Sequence, residues 1–294
     1  MFDNANVGGH DAPCRSIPAP GLRVYLIESK SALILLIQLL ISILSISNLY
    51  AQFNVDSLEK VLPTSVGANR MEVTFQLFAA NLDVNQRKAL QYAEMSYEEA
   101  KKLNDTLRII RAGNARGFVF SDLGKFKEAI TDFEYILPLT LTASPGDAEE
   151  VKSYRQQRKF ILNNLGRTYF RAAEVGKALE RYLESLKLRE EDKDTVAIAL
   201  ALNNIGALYH QIGDRENALS YYAQSYQLLL KTNQISARAH RLVNIADVST
   251  EMGRYDVALA YLKDVFALCA SGCDKRDEAF AHHIKGEALM KTGK

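Results

Sequence analysis

LNNIGALYHQIGDRENALSYYAQSY, residues 202–226, decides the fold, because LNNLGRTYFRAAEVGKALERYLESL at 162–186 repeats its plan 40 positions earlier. The same plan returns at 242–266 as LVNIADVSTEMGRYDVALAYLKDVF. Gly166, Gly206, Ala246 and Gly286 stand 40 apart, and Ala178, Ala218 and Ala258 keep the same step. Within each unit the apolar residues fall three and four apart, Leu202, Ile205 and Tyr209 and then Ala218 and Tyr222, which places them on one face of each of two helices. Gly213, Gly253 and Gly293 end the first helices, where a glycine takes the left-handed conformation at little cost. Each unit is helix, turn, helix. A unit so thin buries its apolar face only by stacking on neighbours, so the expected fold is an all-α, right-handed superhelical solenoid.

Two antiparallel helices joined by a short turn approach closely only where a glycine or alanine sits at the crossing, with Tyr or Phe filling the space beside it. Leu162 to Tyr182 and Leu202 to Tyr222 resemble the tetratricopeptide repeat, W-x2-L-G-x2-Y followed by A-x3-F. Leucine stands where that family has tryptophan, its proline after the second helix is absent, and the step exceeds its usual unit of about 34 residues. The long units resemble the branch that includes kinesin light chains and bacterial peptide-sensing regulators. That resemblance implies a non-catalytic scaffold that binds a protein or peptide.

Working backward, Gly117, Phe120, Gly124, Ala129 and Phe133 form a further unit, and Ala89 with Ala93 a weaker one. The step from Ala129 to Ala178 is 49, with Pro138, Pro145 and Gly146 in the excess, so a loop is expected there. The organisation expected is a poorly structured extension over 1–30, a signal or membrane anchor over 31–51 and a linker over 52–67. Two degenerate repeats over 68–137, a loop over 138–150, and three repeats plus an incomplete fourth over 151–294 complete it. Residues Phe280 to Lys294 supply a first helix without its partner, which implies either a truncated product or a terminal cap carrying His282, His283, Lys285 and Glu287.

Ser31 to Leu49 is strongly apolar and uncharged, preceded by Arg23 and Lys30 and followed by Ala51. This is the pattern of a secretory signal cleaved before Gln52. An uncleaved anchor also fits, since roughly 20 apolar residues span a bilayer, and a buried core helix is the third possibility. The first two place the repeats outside the cytoplasm, in the periplasm or anchored facing it, so that any membrane association runs through this segment alone. Cys269 and Cys273, four apart near the end of a second helix, are either a disulfide formed in an oxidising compartment or two unrelated small side chains near a loop.

A net charge of +1 argues against nucleic acid as a partner, which a strongly basic face would announce. Neither Gly124-Lys125 nor Gly176-Lys177 has the context of a phosphate loop, and no cofactor or metal motif stands out; the adjacent His282 and His283 point to different sides of a helix. No catalytic constellation is expected. In stacked helix pairs the first helices line the inner wall, and there Asn163, Asn164, Asn203, Asn204 and Asn244 recur at repeat spacing. Each amide offers a donor and an acceptor, which matches an extended peptide backbone or, equally, serves to cap or bridge adjacent helices without touching a ligand. Arg111, Asn114, Arg167, His210, His240 and Asp247 stand nearby as candidate readers of peptide side chains or a carboxylate terminus. Arg167 with Asn203 is only a partial match to the carboxylate clamp of chaperone-binding members. An alternative role is the extracytoplasmic sensory input domain of a signalling protein, a sensor kinase or transcriptional regulator whose output part lies beyond Lys294.

Overall fold

The computed structural model describes residues 55–143 and 147–293. The run 31–51, Cys14 and the extension before them lie outside the described residues. No strand occurs among the described residues, and no described helix is long and apolar enough to cross a membrane.

From Gly67 onward the helices are α1 (Gly67–Asn81), α2 (Gln86–Leu103), α3 (Thr106–Asp122), α4 (Phe126–Leu139), α5 (Ala148–Arg171) and α6 (Val175–Glu191). They continue as α7 (Thr195–Gln211), α8 (Arg215–Leu229), α9 (Ile235–Glu251), α10 (Tyr255–Cys269) and α11 (Lys275–Thr292). Each packs on its chain neighbours, and α3 also meets α5 while α9 meets α11. The result, among the described residues, is a helical-repeat solenoid in which α1–α2, α3–α4, α5–α6, α7–α8 and α9–α10 are the pairs and α11 follows in the position of a first helix.

Short polar side chains set the helix starts. Asp105, Asp194 and Asp214 each accept a hydrogen bond from the backbone N–H three residues on, at 3.0, 3.0 and 3.2 Å, satisfying a donor that the helix itself leaves open. The first helices end in one shared turn. The N–H of Lys125, Glu174, Asp214 and Arg254 returns to the carbonyl five residues back, at 2.8, 2.8, 2.9 and 2.8 Å, across a left-handed residue. That residue is Gly213 at φ 82° and Gly253 at φ 73°, but Ala173 at φ 62° in the α5–α6 turn.

The crossings explain the glycine column. A Cβ on Gly166 would stand 2.8 Å from the Tyr182 ring, and one on Gly206 only 2.7 Å from Tyr222. Both tyrosines are buried, as are Ala178, Ala218 and Ala258. In the next unit Leu262 replaces the ring, and the column residue relaxes to Ala246 in the same core cluster. Gly286 keeps the register on α11 with open space around its Cβ position.

Two expected boundaries are corrected. Residues 55–61 are helical and Leu62–Thr64 form a 3-10 turn, where a linker over 52–67 is expected. Glu59 docks this segment on α2 by accepting from Lys88 Nζ at 3.0 Å and Tyr92 Oη at 2.6 Å. The loop expected over 138–150 is shorter at both ends. α4 runs on through Pro138 to Leu139, and α5 starts at Ala148 because Asp147 caps it. At 24 residues against 17 in α7 and α9, α5 absorbs most of the extra length as helix.

Candidate functional site

The first helices α1, α3 and α5 line an open cavity of about 340 Å³ on their shared face. α1 lines it with Phe75, Phe78 and Leu82, α3 with Arg111, Asn114, Ala115 and Phe118, and α5 with Gln157, Phe160 and Asn164. Arg111 is exposed, stacks its guanidinium 5.3 Å from the centre of the Phe75 ring, and has no carboxylate partner among the described residues. Arg167 covers Phe118 at 4.3 Å and turns toward Asp122 at 3.3 Å, a carboxylate it shares with Arg171 at 2.9 Å. The cavity is therefore an aromatic floor with cationic edges.

The asparagines are joined into a ladder. Asn164 donates to Asn114 at 3.0 Å, Asn204 to Asn163 at 2.7 Å and Asn244 to Asn203 at 3.0 Å. In every rung the second asparagine of a later repeat gives its amide hydrogen to the first asparagine position of the repeat before. The ladder stops where Val243 and Ile284 would have to make the next rung. Of the two uses that the sequence allows, inter-helix bridging is the one the structure displays. Each amide has a second hydrogen or lone pair in addition.

The remaining candidates lie toward the other end of the same face. His240 Nδ1 meets Asp277 Oδ1 of α11 at 2.8 Å. His210 Nε2 lies 3.0 Å from Glu251 Oε1, whose other oxygen accepts from Arg215 Nε at 2.8 Å. Burial alone would raise the Glu251 carboxyl, but the hydrogen bonds from His210 and Arg215 hold it below its ordinary range. Asp247 is pushed up, chiefly by burial, with Glu251 and Glu287 adding and His210 and His283 opposing. Arg111, Asn114 and Asn164 thus share one cavity, while His210, Asp247 and His240 belong to a separate region. Phe75, Phe78, Phe118 and Phe160 leave only a faint trace in the sequence, as aromatics off the packing columns, and Glu251 leaves only its place one turn after Asp247.

Cys269 and Cys273 are joined by a disulfide, with their Cα atoms 4.6 Å apart across the end of α10.

A stacked array of helix pairs with closely packed small residues at the crossings defines a helical-repeat scaffold. Family models described as tetratricopeptide repeat match residues 159–231 and 238–271, so these segments of the chain are tetratricopeptide repeats. Among solved structures it is similar to BtubC (BKLC) from P. vanneervenii, at 17% identity over 76% of this chain and 89% of that one, with a TM-score of 0.60. It is also similar to the apo form of RapI, at 15% identity over 81% and 66% of the two chains and a TM-score of 0.64. The apo form of the quorum sensor NprR from B. thuringiensis matches at 21% identity over 85% and 67%, with a TM-score of 0.60. At these identities the likeness concerns the fold. No curated protein matches the sequence.

Proposed function

We propose that the chain is a non-catalytic scaffold that holds a peptide or a peptide-like segment of a protein against its first-helix face, outside the cytoplasm. The observation that carries this is the aromatic cavity bearing Arg111. Four phenylalanines offer apolar burial to a ligand side chain, while a guanidinium without a carboxylate favours an acidic group or a C-terminus beside it. Asn114 and Asn164, at its edge, have hydrogen-bonding capacity left for a peptide backbone. A Rap protein with this fold has been solved complexed with Competence and Sporulation Factor, at 13% identity and a TM-score of 0.61, which supports ligand binding by such an array.

Peptide-library selection on the purified chain tests the proposal. Selected peptides should pair an aromatic or large aliphatic residue with a nearby acidic group. Arg111→Ala should weaken them by about 1.5–3 kcal/mol, the range for hydrogen bonds to charged groups, and Phe118→Ala should weaken them as well. Peptides that bind equally well to both variants would place recognition elsewhere. The apolar run at 31–49 and the Cys269–Cys273 disulfide support export. N-terminal sequencing of the mature protein should begin at Gln52, and a first residue upstream of Ser31 would defeat the cleavage proposal.

A further inference from the structure

Far along the first-helix face from the aromatic cavity, ligating side chains from successive repeats converge. His210 lies in the last turn of α7, and Asp247 and Glu251 come from α9, one helical turn apart. Their ligand atoms all lie within 4.8 Å of one another. Ligands held at about 2.0–2.2 Å from a common ion stand only somewhat closer together than this, so small side-chain rotations suffice to converge them. Asp247 is half-buried and accepts no hydrogen bond among the described residues, while its near neighbour Glu251 repels it. Arg215 holds the far oxygen of Glu251 and so fixes that carboxylate from behind, as an outer-shell partner does.

We propose that His210, Asp247 and Glu251 bind one divalent transition-metal ion, of which Zn²⁺ is the type, and thereby clasp α7 to α9. One imidazole and two carboxylates are ligands of the kind zinc accepts, with a position left for water or a partner's side chain. The imidazole disfavours Mg²⁺ and Ca²⁺, which take oxygen ligands. His283 and Glu287 of α11 lie within electrostatic reach of Asp247 and give the ion further groups to recruit. The site does not depend on the peptide groove, which other residues form.

Calorimetric titration of the tag-free full chain with Zn²⁺, with Mg²⁺ as contrast, tests this. One Zn²⁺ should bind per chain, Mg²⁺ should give no saturable heat, and Co²⁺ loading should produce visible absorption bands. Asp247→Asn should weaken Zn²⁺ roughly tenfold or more. Because Asp247 makes no hydrogen bond among the described residues, the metal-free variant should keep its helicity and its unfolding temperature. His282→Ala, outside the cluster, should leave the affinity unchanged. Absence of saturable Zn²⁺ binding, or binding that Asp247→Asn leaves intact, would overturn the proposal and reduce the cluster to an ion-pair network between repeats.

Discussion

Gly206 and Gly286 occupy the same column, yet their surroundings are opposite. At Gly206 a methyl group would press on the Tyr222 ring at 2.7 Å, within a crossing that offers no slack; at Gly286 it would meet nothing within 4 Å. Gly206→Ala should therefore destabilise the fold by about 1–3 kcal/mol through overpacking. Gly286→Ala should stabilise it by about 0.5–1 kcal/mol, because alanine loses less backbone freedom in a helix. Denaturant unfolding of both variants checks this, and equal shifts would show that the glycine column has no steric basis. The column was legible in the sequence because repetition exposes it. The ring that enforces it was legible at Tyr182 and Tyr222 by the same means.

At the scale of elements, neighbouring first helices are tied by the asparagine ladder, and the α5–α6 pair is tied by ion pairs. Asn163→Ala and Asn204→Ala should each cost on the order of 1 kcal/mol. Because they share one rung, the double variant should lose less than the sum by at least about 0.5 kcal/mol, and additive losses would break the ladder interpretation. Between α5 and α6, Lys159 Nζ lies 2.5 Å from Asp192 Oδ2, and Arg155 Nε lies 2.7 Å from Asp192 Oδ1. The Lys159 hydrogen bond, with that of Arg155, holds the Asp192 carboxyl below its ordinary value of 3.8. A depressed acid contributes stability in full above its unfolded value and loses it as pH falls through the folded one. Acid unfolding should accordingly lose this contribution below pH 3.8, and Asp192→Asn should remove that step while lowering neutral-pH stability by about 0.5–1 kcal/mol, since Asp192 is exposed and solvent screens its ion pairs. An unchanged acid limb would contradict it. Which asparagine meets which was beyond the sequence, because both residues of each Asn-Asn pair fit either a ligand or a neighbour.

For the molecule as a whole, an array whose units touch only their neighbours holds its stability locally. Among the described residues α11 packs mainly on α9 and α10, whereas α7 has packed helices before and after it. Amide exchange should be fastest in α11 and slowest through α7–α9, and uniform protection would indicate one global unit instead. The sequence by itself determined the repeat, its helix pairs and the small residues at their crossings, because identical packing demands recur at a fixed step and leave a periodic trace. Only the tertiary structure decided that Phe75, Phe118 and Phe160 share a cavity, that the asparagines bond one another, and that His210 meets Glu251. Those contacts join side chains 40 or more residues apart on different helices, so their partners emerge only when the helices are stacked.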